Sequence, residues 1–184
     1  YIAPINLKLI IIMKKVLLVF VAFLALSLNS NAQEKGAFSG FVGGTYLAAT
    51  GGTAGINAGV EDMITDELSV APSYSYFFKS TVDSGFPGVT ADGQNSSINV
   101  DVRYYLGGDD SLKYYGTAGV SLASSKVTAS GGGATASETA TKTGLNVGGG
   151  LIYALSDSMG LIGQVTYNTP FAAVVPMVAI NFNF

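Results

Sequence analysis

The sequence predicts an all-β fold: an eight-stranded antiparallel up-and-down transmembrane β-barrel, preceded by a helical signal peptide. Two observations carry this prediction. The chain ends in a segment, Ala172 to Phe184, in which most even-numbered positions are apolar, and this period of two is typical of a β-strand. Seven earlier segments show similar alternation, and most are as long as the roughly 9–11 residues that a tilted strand needs to cross a bilayer.

The first 32 residues are typical of an export leader. Met13 is followed by two lysines, a short apolar run and a small-residue cleavage site that ends at Ala32, which are the parts of a secretory signal peptide. The apolar run is shorter than the roughly 20 residues of a membrane helix. We expect residues 1–12 to be upstream sequence, residues 13–32 to be a signal peptide, and residues 33–184 to form the barrel domain.

The composition favours a protein that shows its apolar surface to lipid. Charged residues make up only 11% of the chain and the mean hydropathy is +0.42, whereas soluble domains carry about 25% charged residues. The 24 glycines, 10 tyrosines and 10 phenylalanines suit a barrel with small luminal residues and aromatic girdles. The chain has no cysteine, which excludes disulfides, thiolate metal sites and a lipid anchor on cysteine.

The charge distribution argues against a nucleic-acid partner. Three of the nine basic residues lie in the leader, and all twelve acidic residues lie beyond it. The mature chain therefore has six basic and twelve acidic residues, a net charge of −6. Proteins that bind nucleic acid carry a basic patch or stripe instead.

The first predicted strand, Ala37 to Ala49, has two competing apolar faces. We favour the orientation in which Phe38, Val42 and Tyr46 point outward, because Ser39 and Thr45 then face inward. A Gly-Gly turn follows, which supplies the positive φ of a tight hairpin.

The next two strands alternate more clearly. In Thr53 to Ile64, apolar residues such as Ile56 alternate with Asn57, Glu61 and glycines. In Leu68 to Tyr76, a large or apolar residue alternates with serine or alanine at every step. Pro72 lies in the middle of this third strand, and we expect a local β-bulge there because proline cannot donate to the ladder.

The remaining five strands follow the same rule. In each, leucine, valine, isoleucine, methionine or tyrosine predominates on one face, and polar residues or glycine predominate on the other. The predicted bounds are Ser96 to Leu106, Leu112 to Ser125, Thr143 to Leu155, Met159 to Asn168 and Ala172 to Phe184.

The predicted connections alternate in length. Those on the periplasmic side are short turns, at Thr65 to Glu67, Gly107 to Ser111 and Ser156 to Ser158. On the other side, Ser80 to Asn95 and Lys126 to Lys142 are rich in small and polar residues and are predicted to be long loops without regular structure. Short periplasmic turns and longer external loops are typical of bacterial barrels.

From about Gly36 to Phe184 the chain therefore resembles the small eight-stranded outer-membrane β-barrel proteins, the OmpA/OmpX/OmpW-like class of the porin-like outer membrane proteins. The resemblance implies a bacterial outer-membrane location, with membrane lipid and the outer-membrane assembly machinery as partners. It also implies that the terminal Phe184 is the signal that this machinery recognises. The loops Ser80 to Asn95 and Lys126 to Lys142 would be the parts that bind a surface ligand.

The inward faces carry four charged residues near the periplasmic ends of their strands: Glu61, Asp101, Arg103 and Lys113. Arg103 is the only arginine of the chain, and we hypothesise that it bridges Glu61 and Asp101. Such a cluster would plug the lumen, since an eight-stranded barrel is just wide enough for its own side chains. The alternative role is a gate for a narrow, intermittent pore.

No catalytic, cofactor or metal site is predicted. The chain has no histidine, so Ser-His-Asp catalysis and histidine-dependent zinc chemistry are excluded. Glu61 with Asp101 could form an acid/base pair, but the nearby Arg103 favours charge pairing.

Three functions are consistent with this sequence. The first is a structural or surface-interaction protein of the outer membrane, without chemistry of its own. The second is a narrow pore or transporter for small or hydrophobic solutes. The third is a secreted, soluble β-barrel that binds a ligand inside, which would need apolar residues inside and polar residues outside. The predicted facing is the reverse, and it favours the membrane.

Overall fold

The computed structural model describes residues 36–49, 51–83, 89–109, 111–131 and 134–184, so the predicted upstream sequence and signal peptide lie outside the described residues. No helix in the described part of the chain is long and apolar enough to cross a membrane. The described residues form nine β-strands: β1 (Phe38–Leu47), β2 (Thr53–Met63), β3 (Leu68–Phe77), β4 (Ser80–Asp83), β5 (Val89–Gly108), β6 (Leu112–Gly131), β7 (Ala134–Ser156), β8 (Met159–Asn168) and β9 (Ala173–Asn183).

These strands close into one antiparallel ring. Neighbouring strands follow the order β3-β2-β1-β9-β8-β7-β6-β5-β4, and a further pairing of β3 with β5 completes the circle. β3 and β4 pair with the same side of β5, at successive positions along it. The two segments therefore count as one strand of the wall, and the wall has eight strands. The prediction of an eight-stranded antiparallel barrel is therefore confirmed.

Side chains alternate between the two faces as predicted. On β1, Ser39 and Thr45 are buried inside the barrel, whereas Val42 and Tyr46 are exposed on its outer face, which confirms the orientation favoured from sequence. On β5, Asp101 is 4% exposed while its neighbour Val100 is 49% exposed. In a soluble protein the apolar side chain would be buried and the charged one exposed. The opposite arrangement here indicates that the outer face meets an apolar medium.

The bulge predicted at Pro72 is wrong. The pairing of β3 with β5 runs through Pro72, opposite Val100, without a register shift. On the other side, β2 and β3 pair at Gly59 with Ser73 and again, in the same register, at Asp62 with Val70. The missing N–H of proline is therefore accommodated by an interruption of the ladder towards β2, without an extra residue. The register shifts that occur lie near the strand ends, between Tyr105 and Gly107 and between Ala154 and Ser156.

The two long loops are also a wrong prediction. Much of Ser80 to Asn95 is strand, since β4 pairs with residues 90–93 of β5. The segment Lys126 to Lys142 is a hairpin that continues the β6 and β7 ladder as far as Gly131 opposite Ala134. The small and polar side chains of these segments cannot bury enough apolar surface to order a loop. Here order comes from backbone hydrogen bonds that extend an existing ladder, and this needs no core.

One side of the barrel is consequently taller than the other. β8 ends at Asn168, opposite Asn146 of β7, and β9 begins at Ala173. β4, residues 89–95 of β5, residues 126–131 of β6 and residues 134–143 of β7 continue beyond this level as a four-stranded sheet. We call this sheet the strand extension.

Candidate functional site: the barrel lumen and the strand extension

The lumen is lined mostly by polar side chains that the alternation of eight strands directs inward. Buried serine, threonine, asparagine and glutamine residues come from every part of the wall. Because the barrel has no room for bulk water between them, these groups must find partners across the lumen. The most deeply buried charges are the ones that organise the rest.

Arg103 and Glu61 form a buried ion pair inside the lumen. Arg103 Nη1 donates to Glu61 Oε2 at 2.7 Å, and the two side chains are 2% and 3% exposed. Glu61 also accepts hydrogen bonds from the hydroxyls of Ser69 and Tyr105, so both of its oxygens are used. A buried ion pair is strongly held only when its remaining lone pairs and protons are satisfied, and the Glu61 side meets this condition.

The guanidinium of Arg103 lies between two aromatic rings. Its Cζ is 4.9 Å from the ring centroid of Phe41 and 4.8 Å from that of Tyr115. Its Nη2 donates to Gln164 Oε1 at 3.0 Å, and the Tyr115 hydroxyl donates to the same oxygen at 2.9 Å. A planar cation stacked between rings and hydrogen-bonded at its edge has little freedom to swing aside. We call Glu61, Arg103, Gln164, Phe41 and Tyr115 the arginine layer.

Asp101 is not part of this ion pair, which corrects the predicted Glu61–Arg103–Asp101 bridge. Both of its carboxylate oxygens accept from Asn146 Nδ2, at 3.2 and 3.0 Å. Among the described residues the Arg103–Glu61 contact is the ion pair present in the lumen. Glu61 and Asp101 therefore occupy different hydrogen-bond networks, although the alternation correctly placed both inside.

Lys113 is also not part of the cluster. Its side chain is exposed, because β6 begins at Leu112 and Lys113 lies at the mouth of the barrel. A charge at that level can reach water, so it needs no buried partner.

A small cavity separates Asp101 and its neighbours from the arginine layer. It has a volume of about 20 Å³ and is lined by residues including Asn57, Asn99, Asp101, Arg103 and Asn146. Three of these, Asn57, Asn99 and Asn146, have a buried amide oxygen with no hydrogen-bond partner among the described protein atoms. The volume and the unpaired acceptors suit about one buried water.

Beyond this cavity, an apolar layer closes the lumen towards the strand extension. It consists of Leu47, Phe77, Ala173 and Val175, with Phe171 packed edge-on against Phe77 at a centroid distance of 5.8 Å. We call these five residues the apolar layer. A second cavity of about 290 Å³ lies above it, between the extension and the β8–β9 turn, and is lined by residues including Ala49, Lys142 and Phe171.

The sequence therefore identified part of the arginine layer. Glu61 and Arg103 were expected to meet, whereas Gln164, Tyr115 and Phe41 were not predicted as members of the cluster. Their meeting depends on the tilt of the strands in the closed barrel, which decides which inward residues share a level. No cluster of three or more histidine, cysteine, aspartate or glutamate side chains occurs in the described part of the chain.

The strand extension presents a different surface. All ten side chains of residues 134–143 of β7 are exposed, and most residues of β6 and β7 in the extension are threonine, alanine, serine or glycine. Thr81 donates to Asp92 at 2.6 Å across β4 and β5. The strand extension is thus a sheet that continues from the barrel wall and is stabilised by its backbone ladders. Side chains on both of its faces are accessible to a partner.

A family comparison agrees with this architecture. The family model described as the outer membrane protein beta-barrel domain matches residues 17–173. The chain belongs to this family. It is a protein of the bacterial outer membrane, and the apolar outer face of the barrel is the surface that meets lipid. This location does not fit the third function considered above, a secreted soluble barrel.

Solved structures of other outer membrane barrels share the fold. The outer membrane protein OprG from Pseudomonas aeruginosa matches with a TM-score of 0.60 and 18% identity, covering 80% of this chain and 95% of that chain. A major outer membrane protein from Thermus thermophilus matches with a TM-score of 0.62 and 14% identity, covering 80% and 98%. Ail, the attachment invasion locus protein of Yersinia pestis, matches with a TM-score of 0.55 and 17% identity, covering 80% and 97%. Comparison with curated proteins finds no match.

Phe184 lies where the barrel closes. Its backbone N–H donates to Phe38 O at 3.0 Å, its ring lies 5.9 Å from the Phe38 ring, and its side chain is 83% exposed. Its role as an assembly signal stays a prediction.

Proposed function

We propose that this protein is a surface-interaction protein of the outer membrane, without chemistry of its own. The barrel serves as the anchor, and the strand extension is the part that contacts partners outside the cell. The observation that carries this proposal is the combination of a lumen closed at two levels with an ordered sheet that continues beyond the barrel rim.

The lumen supports an anchor better than a channel. A solute would have to displace the arginine layer, in which Arg103 is stacked between Phe41 and Tyr115, and then the apolar layer around Phe77. A charged layer that opened would still leave an apolar constriction, which excludes ions by dewetting. The arginine layer and four of the five residues of the apolar layer lie on strands of the wall, and Phe171 lies in the short turn between β8 and β9. Neither level is therefore a separate plug domain that could leave the lumen.

The extension supports a role in contact. Surface connections that carry no function are usually short, and here three strands continue for several residues past the rim while burying little side-chain surface. Ail is described as an attachment invasion locus protein, and one structure shows it with the heparin analogue sucrose octasulfate. A sulfated polyanion is a poor candidate for the present chain, whose net charge beyond Ala32 is −6.

Cysteine labelling on intact cells tests the exposure of the extension. The chain has no cysteine of its own, so a single cysteine gives an unambiguous signal. Thr135→Cys, in the extension, should react with a membrane-impermeant maleimide on whole cells. Ser158→Cys, in the exposed turn at the opposite end, should react only after lysis, and Ser121→Cys, fully buried in the lumen, should react in neither case.

A planar-bilayer recording tests the closed lumen. The protein is purified and its folding is verified by a shift in gel migration on boiling. In the bilayer it should show no sustained conductance steps. Steady conductance, or labelling of Ser158→Cys instead of Thr135→Cys on intact cells, would overturn the proposal.

One observation favours the transport alternative. The cavity of about 290 Å³ at the outer mouth is large enough for a small hydrophobic molecule, and its apolar lining includes Leu47, Pro170 and Phe171. A transporter would need this cavity to continue through the apolar layer. Uptake of small solutes into protein-containing vesicles faster than into empty vesicles would favour this alternative.

A further inference from the structure

The outer edge of β7 in the strand extension is a free strand edge. Residues 134–143 pair with β6 on one side, and pairing with β8 begins only at Asn146. In the described part of the chain no strand covers the other side of these ten residues. Their outward N–H and C=O groups can therefore form a ladder with another strand.

This edge lacks the usual protection against pairing. Natural edges are blunted by proline, bulges or several charges. Residues 134–143 contain no proline, and their ladder with β6 runs without a register shift. Most of the ten residues are serine, threonine or alanine, and the single glutamate and single lysine cancel in charge. Glu138 and Lys142 form no ion pair within the described residues.

The sequence of this edge is complementary to itself. When two copies pair antiparallel about Ala140, Glu138 of each copy lies opposite Lys142 of the other. The same register places Thr139 opposite Thr141 and Ser137 opposite Thr143. Each of these is a favourable cross-strand pair, so the symmetric pairing contains two ion pairs and four hydroxyl pairs.

Pairing in the parallel direction lacks this complementarity. In register, it would place Glu138 opposite Glu138 and Lys142 opposite Lys142, and directly opposed like charges are destabilising. Two barrels in one membrane point the same way, so their β7 edges could meet only in parallel. Two barrels in facing membranes point in opposite directions, and their edges meet antiparallel.

We infer that residues 137–143 of β7 bind the same residues of a second copy of this chain in a facing membrane, joining two strand extensions into one continuous sheet. In this register residues 134–136 of each copy lie opposite residues 144–146 of the other, whose outer side is taken by β8 and Thr169, and they stay outside the shared ladder. This inference rests on the proposed function, because it names the partner of the extension. Ala140 lies six residues beyond Asn146, which is about 20 Å along a strand at about 3.3 Å per residue. The two barrel rims would thus be about 40 Å apart.

Vesicle aggregation tests this partner directly. The full barrel is inserted into phosphatidylcholine vesicles, which lack both net lipid charge and lipopolysaccharide, and aggregation is followed by turbidity. Energy transfer between two lipid-labelled vesicle populations serves as a second readout. We expect the native protein to aggregate the vesicles and empty vesicles to remain dispersed. Added salt should slow the process, because it screens the two ion pairs.

Charge reversals then test the register. Glu138→Lys and Lys142→Glu each turn both ion pairs of the self-pairing into like-charge contacts, and each should slow aggregation about tenfold or more. An equal mixture of vesicles that carry Glu138→Lys with vesicles that carry Lys142→Glu should aggregate at about half the native rate, because about half of the encounters join the two variants and bring opposite charges together again. The double reversal should aggregate by itself.

Lys126→Glu is the matched control. It makes the same change of charge within the extension, but on β6, which is paired on both sides by β5 and β7. It should leave the rate unchanged. Heat-modifiable migration verifies that each variant is folded.

The outcomes separate this inference from the proposed function. Native vesicles that stay dispersed although Thr135→Cys is labelled on cells would overturn the self-pairing and leave the surface role intact. The self-pairing would also be overturned if both single charge reversals aggregated vesicles as fast as the native protein does. The same conclusion would follow if the mixture of the two variants aggregated as slowly as either variant alone. Absence of Thr135→Cys labelling would overturn the proposed function itself.

Discussion

Arg103 Nη1 lies 2.7 Å from Glu61 Oε2 inside the barrel lumen, and the two side chains are only 2% and 3% exposed to solvent. The two residues are 42 positions apart in the chain and lie on β5 and β2, which are separated by β3. Their contact therefore passes over the inner face of β3, and it links two strands that share no backbone ladder.

Removing the negative partner of this contact should destabilise the barrel strongly. Glu61→Gln keeps the shape of the side chain but leaves the Arg103 charge buried without compensation, and we expect a loss of about 3 kcal/mol or more in the free energy of unfolding. Urea unfolding in lipid vesicles, followed by heat-modifiable gel migration, measures it. Glu67→Gln is the matched control, since Glu67 is exposed and its carboxylate accepts a hydrogen bond from the exposed Tyr104 hydroxyl at 3.0 Å. The control should change stability by less than about 0.5 kcal/mol. Equal effects of the two substitutions would contradict the buried pair.

Opening the lumen should require changes at both levels. Arg103→Ala removes the arginine layer but leaves Phe77 and Leu47 closing the apolar layer, so we expect a less stable protein that still shows no steady conductance. Arg103→Ala combined with Phe77→Ala should conduct in planar bilayers. Phe77→Ala alone should not, because the stacked guanidinium remains. Steady conductance of either single variant would show that the remaining layer does not close the lumen by itself.

Gly150 should not tolerate a side chain. A Cβ at this position would lie 2.5 Å from the Tyr115 hydroxyl oxygen and 2.6 Å from its Cζ, so Gly150→Ala would displace the ring that stacks on Arg103. We expect a cost of about 1–3 kcal/mol from this overpacking in the same unfolding measurement. Gly116→Ala is the control, because no atom lies within 4 Å of its Cβ position. A Gly150→Ala variant as stable as Gly116→Ala would show that Tyr115 can move without loss.

Shortening the extension should leave the barrel intact. Replacing residues 125–140 by an Asn-Gly turn removes most of the β6–β7 hairpin and keeps Ser124 paired with Thr141. Because the removed side chains are mostly exposed and bury no core, the free energy of unfolding should change by less than about 1 kcal/mol. The same variant should lose most of the vesicle aggregation, since Glu138 and Ala140 are gone from the free edge. A large loss of stability would mean that the extension is a structural part of the barrel.

The sequence by itself determined the number of strands in the wall, their antiparallel order and the face of most side chains. These follow from a period of two, because a strand in a closed barrel can direct each residue only to lipid or to the lumen. Strand bounds inside the barrel were accurate for the same reason: β8, predicted as Met159 to Asn168, has these ends in the structure. The same alternation also predicted that Glu61, Asp101 and Arg103 face the lumen.

Only the tertiary structure decided which inward residues meet. The tilt and stagger of the strands bring Gln164 and Tyr115 to the level of Arg103, and they bring Asn146 within hydrogen-bond distance of Asp101. The alternation along a single strand cannot predict these contacts, because it contains no information about the height of a residue in the barrel. It also decided that the predicted loop Lys126 to Lys142 is a hairpin. Its threonines and alanines bury almost nothing, and they are ordered by a backbone ladder that starts inside the barrel and continues beyond it.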